Sequence, residues 1–473
     1  MNQMIIKKIS DFIQTGLLIY CSVLMSLYLI LGTISMIALR KYLKKSKNIN
    51  YADLLPSFLS PSISLIAPAY NEELTIVENI RSLISLHYSD FEVVIINDGS
   101  KDDTLQKVVT AYKMVPIELT INEELATKKI RNIYKSTLPA FKNLILVDKE
   151  NGGKADALNA GINIASSMYV ACIDADCILE QDSLLKLIKP FLDSKKRVIA
   201  TGGVIRIVNS CTIKNGIITK VRVPQSWVAR MQVLEYLRAF LLGRMAWGAI
   251  DGVLLISGAL GMFDKEILKK AGGYKTTTVG EDMELVVRMS CYMIENNLPY
   301  KVKFIPDPLC WTEVPEDLKI LGRQRNRWTR GTVETLWYHK KIFFNPKYGV
   351  IGVLSYPYWF FFEFLAPIIE FLGLVWMLIA AILGIVNWSY FIILAFFVYS
   401  FVVMINMLAI LAEEITYYQY KDFRDIIKLV LSALVEPFFY HPFLVYSAMC
   451  GHVDLVKGKK TWGEMTRKGL KTN

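Results

Sequence analysis

The sequence predicts an α/β fold: a Rossmann-like domain whose parallel sheet is covered by helices, flanked at both chain ends by transmembrane and interfacial helices. Three observations predict it. Strand and helix signals alternate between Ser62 and Ile173, acidic signatures fall at the ends of the strand runs, and long charge-free stretches gather near the termini. A chain of 473 residues with a hydrophobic fraction of 53% has room for one such domain plus membrane elements.

Phe12 to Leu39 is uncharged over 28 positions, enough to cross a hydrocarbon core with some tilt. Arg40, Lys41, Lys44, Lys45 and Lys47 follow directly, where a cleaved leader would carry small residues, so a retained anchor is expected. The same basic flank places residues 48–349 on the cytoplasmic side of a cell membrane. The net charge of +11 gathers in this flank and in the tail from Lys457 to Lys471, a distribution suited to anionic lipid. No nucleic-acid-binding motif accompanies it. The seven cysteines have no metal or disulfide spacing and read as small buried residues in a reducing compartment.

Within the domain, strands are expected at Ser62–Ala67, Phe91–Asn97, Leu144–Asp148 and Tyr169–Ile173, with helices at Glu73–Leu86 and Lys154–Ser166. Residues 117–143, basic and polar, read as a peripheral insertion. The aromatic stretch 223–256 either packs near the membrane or lines an acceptor site. Toward the C-terminus, 350–366 reads as an interfacial helix, and Phe371–Trp388 and Ser389–Ala412 as a helical hairpin turning near Asn387. The segment 429–450 contains Glu436, Pro437, His441 and Pro442, costly at a span centre, and is expected to be re-entrant or interfacial. Three full spans follow. The resulting division is 1–47, a transmembrane anchor; 48–315, the α/β domain; 316–366, interfacial helices; 367–450, a membrane region; and 451–473, a basic cytoplasmic tail.

Ligands of open α/β sheets bind beyond the carboxyl ends of the strands, and the signatures fall on that rim. Asp174 and Asp176 stand two apart at a strand end, so both carboxylates can face one site and suit Mg²⁺ or Mn²⁺. Gly152-Gly153-Lys154 opens a helix, where backbone N–H groups and an ammonium can hold diphosphate oxygens. Gln324, Arg327 and Trp328 share a helix face, offering a donor for phosphate and a ring for a sugar. Alone, Asp98-Gly99 reads as a tight turn and Asp282 as a helix cap.

Taken in order, Tyr70-Asn-Glu-Glu, Asn97-Asp-Gly-Ser, Asp174-Ala-Asp, Gly280-Glu-Asp and Gln324-Arg-Asn-Arg-Trp resemble the inverting family 2 glycosyltransferases. The set is most similar to the membrane-embedded processive synthases of poly-N-acetylglucosamine, cellulose and hyaluronan. The resemblance implies a GT-A-like domain that uses a UDP-sugar and a divalent metal to extend a β-linked polysaccharide, coupled to export. It makes Asp282 the general base with Glu281 beside it. Tyr70, Glu72, Asp98, Lys154, Asp174 and Arg327 would bind the nucleotide-sugar, Gln324 and Trp328 the glycan acceptor, and Asp174 and Asp176 the metal. Membrane lipid and an accessory secretion subunit are the implied partners. Ser257-Gly258-Ala259 echoes an acceptor-side segment. The nearest rival transfers a single sugar to a membrane lipid; a non-catalytic scaffold or a transporter fits less well.

Overall fold

The computed structural model describes residues 2–46, 60–214 and 216–459. Lys47 and the basic tail from 460 onward lie outside the described residues.

Among the described residues there are twelve strands: β1 (Ile63–Ala69), β2 (Phe91–Asp98), β3 (Met114–Ile117), β4 (Ile130–Ser136), β5 (Leu144–Lys149), β6 (Tyr169–Ile173), β7 (Ile178–Leu179), β8 (Arg197–Ile207), β9 (Thr212–Lys214), β10 (Ile217–Lys220), β11 (Leu260–Asp264) and β12 (Tyr300–Thr312). Ten form one sheet in the order β3-β4-β5-β2-β1-β6-β11-β8-β12-β7. Its centre, β5-β2-β1-β6, is parallel throughout, as the alternation predicts. These strands are buried on both faces, which is why they read as near-continuous apolar runs. The chain reverses direction at β11, which pairs antiparallel with β6 and β8.

Residues 117–143 depart from expectation. They supply β4, which with β3 extends the sheet antiparallel to β5. Arg131, Asn132 and Lys135 are exposed on this strand, and charge near a sheet edge blocks further pairing, so its polarity hid a strand.

The stretch 223–256 becomes a continuous helical segment from Trp227 to Ala249, with a π-helical turn at Arg238–Arg244. It packs against both the sheet and the N-terminal helix Asn2–Ser46. Residues 351–364 form their own α and π turns, ending at Leu365 before the helix Ala366–Ile382. That helix and Trp388–Thr416 make the hairpin, with Asn387 capping the second by accepting from the Tyr390 N–H at 3.1 Å.

Among the described residues, four helical stretches are long and apolar enough to cross a membrane: Lys8–Ser46, Ile351–Ile382, Trp388–Thr416 and Phe423–Val456. The last is one more than the sequence count. It runs unbroken through Pro437 and Pro442, and Glu436 at its centre is paired with Arg238 at 3.2 Å. Its two ends are tied to different parts of the chain: Asp422 pairs with Arg222 of the α/β domain at 2.7 Å, and Asp454 accepts from Asn326 of the helix Leu318–Tyr338 at 3.0 Å.

Candidate active site

All eleven residues singled out from the sequence border one cavity of about 2060 Å³. Its inner end lies where the parallel strands finish, and its outer end runs between the apolar helices.

At the inner end the turn after β2 meets the loop after β5. A Cβ on Gly99 (φ 66°) would stand 2.7 Å from the Asn151 backbone nitrogen, so only glycine permits this approach. Asp98, expected to contact a nucleotide, lines the cavity and also turns its carboxylate toward its own loop. It accepts from Lys149 Nζ at 2.7 Å and from the Gly152 and Gly153 N–H groups at 3.0 and 2.8 Å. Lys149 is fully buried and also pairs with Asp156 at 2.5 Å. The sequence reading missed this lysine because nothing local marks a buried cation; one of its carboxylates, Asp98, stands 51 positions away, and the other, Asp156, is on the next helix.

Lys154, first residue of the helix Lys154–Ile164, pairs with Asp174 and lies 4.0 Å from Glu281. Burial opposes its charge, but Asp174 and Glu281 outweigh burial and raise its pKa. Asp174, Asp176 and Cys177 bring one ligand atom each to within 4.8 Å of one another. Two carboxylates on one rim fit a hard divalent cation, and Cys177 is an addition the Asp-x-Asp pattern does not announce. The ammonium of Lys154 is the group such a cation meets on reaching Asp174.

Opposite stands the helix Glu281–Glu295. Asp282 Oδ2 accepts from the Gly258 N–H at 3.1 Å, and Gly258 returns its carbonyl to Lys154 Nζ at 3.2 Å. A Cβ at Gly258 would lie 3.1 Å from that Nζ and 3.4 Å from Asp282 Oδ2, which explains the glycine between acid and ammonium. Burial pushes the Glu281 carboxyl up from the ordinary range, Lys154 pulls it back, and Asp282 adds to the rise.

The helix Leu318–Tyr338 carries Gln324, Arg327 and Trp328 to the cavity and is capped by Asp317. Gly280 and Gly331 touch backbone to backbone; a Cβ on either would reach the other's Cα at 2.6 Å. Glu334 accepts from Thr278 Oγ1 at 2.7 Å and the Val279 N–H at 3.0 Å, and Glu284 meets His339 Nε2 at 3.1 Å. The loop bearing Asp282 is thus fastened to the helix bearing Trp328. Arg325, a second residue the sequence reading passed over, pairs with Glu235 at 2.7 Å and lies 3.9 Å from the Trp328 ring centre. It braces the tryptophan, which stays 40% exposed to the cavity. Arg244 and Trp247 also line the cavity, as do Tyr20, Glu370, Tyr390 and His441 of the apolar helices.

Residues 64–248 match the Glycosyl transferase family 2 profile, and residues 169–405 match Glycosyl transferase family group 2. A poly-beta-1,6-N-acetyl-D-glucosamine synthase of Staphylococcus epidermidis is 29% identical over 322 residues, 67% of this chain and 65% of that relative. The enzyme of the same name from Staphylococcus aureus strain COL is 30% identical over 325 residues, with the same coverage. The chain thus matches 65% of the length of these curated relatives. A mannosyltransferase of Pyrobaculum calidifontis solved with GDP-Man and Mn²⁺ aligns over 92% of this chain and 99% of its own at 17% identity and a TM-score of 0.49, too distant to bear on chemistry.

Proposed function

The chain belongs to glycosyl transferase family group 2, and from that premise we propose that it is an inverting transferase that extends a β-linked polysaccharide and feeds it into the membrane. The observation that carries this reading is one cavity lined both by Asp282 and the Asp174–Asp176 rim and by the apolar helices. The names of its relatives support N-acetylglucosamine as the sugar and UDP-N-acetylglucosamine as the donor to try first.

In this reading the nucleotide lies at the carboxyl ends of β1 and β2, beside Tyr70, Glu72 and the loop that Asp98 holds in shape. Asp174 and Asp176 hold Mg²⁺ or Mn²⁺, which neutralises charge on the departing diphosphate. Lys154 and Arg327 donate to the same oxygens. Trp328 and Gln324 seat the terminal sugar of the acceptor. Asp282 takes the proton from its hydroxyl as that oxygen attacks the anomeric carbon and UDP leaves, a contribution of roughly 10² to 10⁴ in rate. A single displacement inverts the anomeric centre, so a second carboxylate nucleophile is not needed. Glu281, its pKa raised by burial, shapes the field around Asp282. The basic residues after the N-terminal helix support a cytoplasmic position for the α/β domain, with membrane lipid against the helices and an accessory secretion subunit as a further partner.

UDP release by purified protein in lipid, across a panel of UDP-sugars with Mg²⁺ or Mn²⁺, tests the reading. One active donor, with Asp282→Asn and Asp176→Ala both silent, and a high-polymer product are expected. A single lipid-linked sugar would replace the polymer by the lipid-acceptor reading. Silence of the wild type with every donor would overturn the proposed activity.

A further inference from the structure

Arg244 ends the π-helical turn Arg238–Arg244, a rare geometry that concentrates at functional sites. Arg206 and Arg325 also carry a buried guanidinium nitrogen without a hydrogen-bond partner, but each is held by a carboxylate, and Arg244 is not. Arg238, in the same turn, donates to Asn406 at 2.9 Å and Glu436 at 3.2 Å, Arg325 pairs with Glu235 at 2.7 Å, and Arg206 pairs with Glu413. For Arg244 no carboxylate among the described residues lies within ion-pair distance, and its buried Nη1 has no hydrogen-bond partner. The guanidinium lies 4.1 Å from the Phe240 ring centre and faces the cavity. Burial lowers its pKa to about 10, with Asp282, Tyr236 and Glu363 as the groups that oppose the shift. An arginine kept charged and short of partners is costly, and the cost is relieved when a ligand supplies acceptors.

We propose that Arg244 binds the acceptor glycan, donating to hydroxyl or acetamido oxygens of a sugar unit behind the one that reacts at Asp282. This deepens the transferase reading and rests on it. Position and charge select the ligand. Lys154 pairs with Asp174 at the diphosphate end, whereas Arg244 lies against Phe240 and within electrostatic reach of both Asp282 and Glu363, the latter on the apolar stretch Ile351–Ile382. A carboxylate on that wall disfavours an anionic ligand, and a neutral sugar offers the oxygens that the guanidinium lacks.

The test uses the full-length protein in lipid, the active UDP-sugar, and a β-linked N-acetylglucosamine tetramer as added acceptor. Arg244→Gln is expected to raise the KM for the tetramer about tenfold or more and to shorten the polymer. UDP affinity and acceptor-free donor hydrolysis stay at wild-type values, and Arg244→Lys falls between. Unchanged tetramer KM and product length in Arg244→Gln would overturn the proposal. So would a matching loss of UDP affinity, which would move Arg244 to the donor. If Arg244→Gln does not fold, the tetramer KM of Arg244→Lys decides. A wild type that releases no UDP speaks against the activity itself, a different failure.

Discussion

At the inner end of the cavity Asp98, Lys149 and Asp156 close on one another, and Lys154 closes on Asp174. At the outer end the walls are tyrosine, phenylalanine and tryptophan, and Arg244 is left with a cavity in place of a partner. Charges are paired at both ends, His441 with Glu370 at 2.7 Å in the outer one, and Arg244 is the exception. The inner end is pre-built: its polar groups hold a fixed shape, as suits a nucleotide whose charges sit in one place. The outer end is roomy, as suits a succession of neutral sugars that must bind and then move on.

The largest effect should come from the group between the two ends. Asp282→Asn is expected to reduce turnover by roughly 10² to 10⁴ while the melting temperature stays put; activity that survives would remove Asp282 from the chemistry. Lys149→Met attacks the pre-built end. It leaves Asp98 and Asp156 buried without their cation and should cost about 3–5 kcal/mol of stability, read by denaturation. A variant as stable as wild type would mean that the inner network is not what holds the loop.

Gly331→Val pushes the two halves apart by forcing a side chain into the Gly280 backbone. Displacement of about 1 Å at such a junction costs on the order of 10² in rate, so turnover should fall by that order with donor affinity retained. Full activity would separate the base from the acceptor platform. The smallest effect is in pH. Burial pushes the Glu284 carboxyl up, but hydrogen bonds from His339 and Arg288 win and hold it at about 2. Its folded pKa lies below the unfolded value of about 4.3, so its stabilisation is full above that value and is lost as pH falls toward about 2. Glu284→Gln should flatten this acid limb in a melting series; an unchanged limb would assign acid sensitivity elsewhere.

The same division governs what the sequence made legible. Central strands and motif-bearing turns are local patterns, and β6 was expected at its observed bounds, Tyr169–Ile173. The partners that finish the structure are remote. Glu436 looked prohibitive inside an apolar helix because Arg238, which pairs with it, stands 198 residues away. Asp98 was legible as a rim residue, yet its use as a loop clamp depended on Lys149, 51 positions along the chain. Arg325 and Gly331 sit beside the motif residues in the helix and carry no local sign that one braces Trp328 and the other touches Gly280.

That glycine contact has a further consequence. With no side chain between them, the backbone leading to Asp282 and the helix presenting Trp328 meet at van der Waals contact, and the Glu334 hydrogen bonds to Thr278 and Val279 hold them there. The anvil on which each bond is made cannot stretch. On the proposed reading, lengthening by one sugar would therefore be absorbed by the product, which would slip outward by one repeat while the tooling stays where it was.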